Sequence, residues 1–197
     1  MMIRRFFISA VALGLATAPA FAHLDPTEHG SFAAGFSHPL FGLDHILVMI
    51  AVGLWAASLK GRAMLIVPAA FVGTMGLGFL AAIAGMPLPF VEPVILASII
   101  FIGIMVALAL PFSTAGMAAA VAFFALFHGH AHGGELGEAG AASFAIGFML
   151  ATAALHAIGS GLGIAFGKLQ GGDGKSWLTR AAGAVTAATG LLLAFAG

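Results

Sequence analysis

The chain has 197 residues, 61% of them hydrophobic and 7% charged, with a formal net charge of zero and a mean hydropathy of +1.13. A soluble domain is about 25% charged, and a chain this short has too little interior to hide so much apolar surface from water. This excludes a soluble enzyme and a disordered chain. The absence of any basic stripe speaks against nucleic acid as a partner, and the absence of cysteine removes disulfides and thiolate metal sites. The expected class is an all-α integral membrane protein, a six-transmembrane-helix bundle after a cleaved signal peptide, with the lipid bilayer as its main surroundings. Histidine is the polar exception, with 8 residues against 7 Lys and Arg.

Residues 1–22 have the pattern of a secretory signal: Arg4 and Arg5, a short apolar core from Phe6 to Ala18, and the A-x-A exit Ala20-Phe21-Ala22. Cleavage there would make His23 the mature N-terminus; an uncleaved first transmembrane helix is the alternative, disfavoured by the short core and small-residue exit. The His23 α-amine and imidazole, with His29 nearby, read either as a weak external collector of divalent metal or as a solvated polar tail. The rest of the chain, 23–197, is expected to be one permease domain. A span needs about 20 apolar residues, which places six helices near 39–59, 63–84, 93–110, 112–128, 142–166 and 177–196. The expected breaks are Gly61, Met86-Pro87-Leu88-Pro89, Pro111, the Gly-rich run Gly129–Gly140, and Gly171–Gly174.

Every Lys and Arg after residue 22 (Lys60, Arg62, Lys168, Lys175, Arg180) falls in the loops after spans one and five or at the start of span six. Alternation puts them on one side, which the positive-inside rule makes cytoplasmic. Asp25, Glu28, Glu92, Glu135 and Glu138 then lie outside, where an acidic mouth attracts cations. Small residues repeat every four positions at Gly159/Gly163/Gly167, Gly183/Ala187 and Gly53/Ala57, faces that let helices approach closely in lipid. Gly174-Lys175-Ser176 resembles the end of a phosphate loop, but the required first glycine would fall at Leu169, so no nucleotide is expected.

Three constellations carry the chemistry. In His38-Pro39-Leu40-Phe41-Gly42-Leu43-Asp44-His45, Ser37 or His38 is read as the cap of a helix opening at Pro39. His38 and His45 then share one face, which Met49 continues. Asp44 serves as a ligand or as the acceptor that fixes a histidine tautomer. A carboxylate costs about 2.5–3.5 kcal/mol at the centre of a span, and marks a functional site by default. In Phe127-His128-Gly129-His130-Ala131-His132-Gly133-Gly134-Glu135, a helix gathers His128, His132 and Glu135, whereas an extended segment gathers His128, His130 and His132. His156 stands alone in span five, as an interhelical hydrogen bond or an inner relay. Glu92 reads as a helix-start carboxylate favoured by the macrodipole. Neutral imidazoles with carboxylates suit Ni2+, Zn2+, Cu2+ or Co2+, not Mg2+ or Ca2+. The candidate metal residues are His38, Asp44, His45, His128, His130, His132 and Glu135, with His23, His29, Met49 and His156 as relay positions.

HPLFGLDH, followed by IL-M-AVGLWA and later by LFHGHAHGGE, resembles the HupE/UreJ family of nickel permeases over essentially the whole mature chain. The resemblance implies a secondary transporter rather than an enzyme. It implies Ni2+ (or Co2+) as the transported substrate with no permanently bound cofactor, and uptake into the cytoplasm across the bacterial inner membrane. It further implies that His38, Asp44, His45, His128, His130, His132 and Glu135 serve transport, and that nickel enzymes such as hydrogenase or urease, with their maturation proteins, are indirect partners. Two other classes are weighed against it: a zinc-dependent intramembrane hydrolase, disfavoured by the lack of an H-E-x-x-H helix, and a b-type haem protein, disfavoured by clustering of most histidines at one rim.

Overall fold

The computed structural model describes residues 31–110, 112–136, 140–170 and 176–196. The signal segment, His23 and His29 lie outside these residues. The described residues form seven helices and no strand: α1 Phe32–Phe41, α2 Leu43–Leu59, α3 Ala63–Ile83, α4 Val91–Leu108, α5 Thr114–Leu136, α6 Ala141–Leu169 and α7 Trp177–Ala196. Five of them, α3 to α7, are long and apolar enough to cross a membrane, and the count reaches six if α1 and α2 are taken as one span bent by 82°.

That bend corrects the expectation for the first span. Ser31, not Ser37 or His38, caps the helix, its hydroxyl accepting from the Ala34 amide at 3.0 Å. Pro39 lies inside α1 near its end rather than opening a helix. Proline lacks an N–H and its ring crowds the carbonyl four residues back, so the helix survives only to Phe41. Gly42 is extended, at φ −82° and ψ 115°, and starts α2 without a side-chain cap. His38 and His45 therefore stand on two helices meeting at a corner, not two turns apart on one.

The fourth span is corrected in the other direction. Its expected end near His128 is passed, and α5 runs on through Gly129, Gly133 and Gly134 to Leu136. Each helical glycine costs up to about 1 kcal/mol relative to alanine, so packing must offset them. A side chain at Gly129 would strike the Met75 carbonyl, and one at Gly133 would sit 2.5 Å from the Phe79 carbonyl. From the other side, one at Gly78 would strike the Leu126 carbonyl. The glycines are thus the contact surface of α5 against α3. They form a close backbone approach of the kind that holds helices together in lipid.

The same device joins the other pairs. α2 lies against α6, with Gly53 facing the His156 carbonyl and Gly159 facing Ile50, and a side chain added at Gly163 would sit 2.7 Å from the Ala57 methyl. α4 lies against α7, where Gly103 and Gly183 face Ala187 and Ala107. Gly167, the third member of the expected α6 stripe, meets nothing. α1 crosses α6 where Gly35 and Gly147 face Phe144 and Phe32. The ends of α2 and α4 and the start of α7 line one cleft, which includes Trp55, Ser58, Met105 and Arg180. Arg180 donates to the Ala107 carbonyl at 2.9 Å. Lys60, Arg62 and Arg180 thereby share one end of the bundle, and the α1–α2 corner lies at the other.

Gly129→Ala is expected to destabilise the protein by about 1–3 kcal/mol, the usual cost of overpacking. Gly134→Ala, with open space around it, is expected to be neutral or slightly stabilising. Thermal unfolding of the two variants in detergent checks this.

Candidate metal centre

The α1–α2 corner, the last turns of α5 and the first turns of α6 assemble one cluster. His38 comes from α1, Asp44 and His45 from α2, and His128 and His132 from one face of α5, one turn apart. The His38 and His45 ring centres are 5.9 Å apart, His38 and His132 4.5 Å, and His45 and His132 4.8 Å. His128 lies 5.5 Å from His45. Phe144 and Phe148 of α6 form the wall, Phe148 standing 4.7 Å from His132 and 6.3 Å from His45. His45, His128 and His132 are buried, while His38 and Asp44 are half-buried.

The protons follow from the partners. The Asp44 carboxylate lies 3.0 Å from His45 Nδ1. An ionised carboxylate only accepts, so Nδ1 carries a hydrogen and, in the neutral ring, Nε2 carries a lone pair. His45 Nε2 faces His132 Nε2 at 2.7 Å, so His132 donates and its own lone pair moves to Nδ1. That atom is buried without a partner among the described residues. On His128, Nε2 lies 3.0 Å from the Ser98 hydroxyl. The single hydrogen of Ser98 is already given to the Ile95 carbonyl at 2.6 Å. His128 Nε2 must donate to Ser98, which leaves a second unpartnered lone pair on the buried His128 Nδ1. The cluster therefore holds two unpartnered imidazole lone pairs, on His128 Nδ1 and His132 Nδ1, and a third on His45 Nε2 that accepts the His132 hydrogen. Metal-ligating histidines have this arrangement, one nitrogen toward the metal and the other donating outward.

Gly42 belongs to the same construction. A side chain there would lie 2.8 Å from Asp44 Oδ1 and 2.9 Å from His45 Nδ1, so the corner has room for the Asp–His pair only because residue 42 has none.

Among the described residues no three His, Asp or Glu side chains already close around one point. Two imidazole nitrogens bound to one ion at about 2.0–2.1 Å stand roughly 2.9–3.3 Å apart, so the 2.7 Å pair needs to open by only a few tenths of an ångström for an ion to replace its proton. Not every candidate lies here. His130, on the opposite face of α5, meets the Met86 carbonyl at 2.7 Å through Nε2 and so ties α5 to the α3–α4 loop. Met49 is fully buried in the apolar core of α2. His156 lies deeper, on α6, with its ring 5.0 Å from Phe71. The side chain of Glu135 lies outside the described residues. Glu92 sits exposed in the first turn of α4, as its sequence position predicts.

Ser98, Phe144 and Phe148 are additions from the structure. Ser98 had a sequence signal, as the one hydroxyl within the apolar stretch of Val91–Leu108. The phenylalanines also had one: Phe144, Phe148, Thr152, His156 and Ser160 repeat every four residues along α6.

Ser98→Ala is expected to release the His128 tautomer and weaken Ni2+ or Zn2+ binding to the purified protein by about 10–100-fold, the usual penalty for losing such an outer partner. Ser98→Thr, which keeps the hydroxyl, is expected to restore most of it. Isothermal titration of both variants checks this.

The model of the family described as HupE / UreJ protein matches residues 11–193. A relative, Protein HupE of Rhizobium leguminosarum bv. viciae, is 41% identical over 177 residues, covering 89% of this chain and 91% of its own length. No solved structure matches the chain. On the extent of both matches, this chain belongs to the HupE/UreJ family.

Proposed function

We propose that the chain is a secondary transporter that carries Ni2+, with Co2+ as a competing ion, into the cytoplasm across the bacterial inner membrane. The observation that carries this reading is the 2.7 Å contact between His45 and His132 Nε2 atoms, 87 residues apart in sequence. It brings the two histidine motifs into one lone-pair-rich cluster at the end of an apolar helical bundle. An ion shed of water needs several moderate sites rather than one closed cage, because it must also leave. The described basic residues lie at the other end, and the positive-inside rule makes that end cytoplasmic, so the histidine mouth faces the periplasm. A dication moving inward gains about 4.6 kcal/mol per 100 mV of membrane potential, twice the single-charge figure. This drives accumulation without nucleotide hydrolysis. The cargo serves nickel enzymes such as hydrogenase or urease.

In this reading His38, His45, His128 and His132 hold the ion in passage, and Asp44 sets the His45 tautomer and supplies a negative charge. His130 acts through its bond to Met86. Labelled-nickel uptake by cells expressing His45→Ala is expected to fall to the level of cells without the transporter. His130→Gln, whose amide can still donate to the Met86 carbonyl, is expected to keep most of the activity. Wild-type uptake by His45→Ala would remove the cluster from the mechanism.

A further inference from the structure

His156 is the buried polar group that the outer cluster does not use. It is 1% exposed, and neither ring nitrogen has a partner among the described residues. A neutral imidazole carries one donor and one acceptor, and burying both unpaired is costly. Its surroundings explain why no protein group relieves that cost. The backbones of α2 and α6 meet at this level, where Gly53 faces the His156 carbonyl, and the Phe71 ring stands 5.0 Å from the imidazole.

One layer toward the mouth, the Thr152 hydroxyl meets Met75 Sδ at 3.8 Å. Thr152 is one turn before His156 on α6, and Met75 is one turn beyond Phe71 on α3. The Thr152–Met75 pair thus lies one helical turn toward the mouth from the His156–Phe71 pair on both helices. The Thr152, Met75 and His156 side chains are buried. Phe71 also lies 5.7 Å from His128, so the position is continuous with the outer cluster. Thioether with imidazole is a softer donor set than the imidazole–carboxylate mouth. The hydroxyl adds a hard oxygen and contributes no charge.

We infer that His156, with Met75 Sδ and Thr152 Oγ1, forms a second, inner binding site for a first-row transition-metal ion. It is separate from the four-histidine mouth and softer than it. This rests on the reading of the mouth as a metal site. An ion arriving from His128 exchanges hard ligands for a nitrogen–sulfur pair, which Mg2+ and Ca2+ do not accept. The inner site is then the point at which the pathway ranks ions.

The test uses the full chain purified in detergent, with Ni2+ alone, by equilibrium dialysis and X-ray absorption at the nickel edge. Wild-type protein is expected to bind a second equivalent of nickel and to show a sulfur neighbour. His156→Ala is expected to lose one equivalent and the sulfur signal while keeping the mouth filled. Met75→Leu, a volume-conserving change, is expected to lose the sulfur signal and weaken the second equivalent about tenfold. If wild-type protein binds a single ion that His45→Ala removes, or if His156→Ala binds as many ions as wild type with its sulfur signal intact, the inner site is overturned and the mouth stands. If wild-type protein binds no nickel, the metal reading of the mouth falls as well.

Discussion

A buried imidazole has two nitrogens, and hydrocarbon satisfies neither. This constraint governs the histidine end of the protein. Each ring there is held by an outer group that takes one of its hydrogens: Asp44 for His45, Ser98 for His128, and the His45 lone pair for His132. What remains is an unpartnered lone pair on His128 and another on His132, while the His45 lone pair is the one that accepts from His132. The polar groups that a lipid-embedded bundle would be expected to avoid are thereby divided into a paired outer half and an available inner half. The arrangement has the directionality of a ligand set although most of its groups are neutral.

Such pairing demands that the helices come close, and glycine makes that possible. α5 could not bring His128 and His132 toward α2 unless its other face lay against the α3 backbone, and Gly129 and Gly133 are where it does so. The motif His-Gly-x-x-His-Gly is therefore one statement with two parts. Its histidines address the α1–α2 corner, and its glycines, each one residue on, address α3. The corner has the same economy. Pro39 ends α1, Gly42 opens the chain sideways, and the empty space at Gly42 is filled by the carboxylate and ring of the next turn.

The class of fold was legible from composition, because a nearly uncharged chain of this length has no other way to be soluble in its surroundings. The spans were legible where an apolar run ended at polar or proline-rich punctuation, as in α3, α4 and α7. The two misplaced boundaries share one cause. Both Pro39 and the Gly129–Gly134 stretch were read by local propensity, which treats proline as a helix opener and glycine as a breaker. Tertiary packing reversed both, since the corner needed a late proline and α5 needed a face without side chains. The second motif takes the helical alternative, with His128 and His132 one turn apart on α5, whereas the spacing of His38 and His45 points to one shared helix and the structure sets them on two. The role of Ser98 was not legible. A lone hydroxyl in a span gives no sign of which neighbour it will hold, and its partner is 30 residues away.

Charge placement completes the physical picture of passage. The Asp44 carboxylate is the one negative side chain within the described cluster, so a dication resting there stays only partly neutralised. On the proposed function, low dielectric magnifies that residual charge and disfavours permanent occupancy. Toward the other end, Lys60, Arg62 and Arg180 make the potential more positive. On the proposed orientation they do not draw the ion in, since like charges repel. The inward pull comes from the membrane potential. The basic end instead disfavours entry of cations from the cytoplasmic side, and it lowers the residence time of an ion that has already crossed. On the proposed function, the direction of net passage is therefore set by the electrochemical gradient and not by the fixed charges, which alter the barrier for both directions, and no part of the chain has to bind nucleotide.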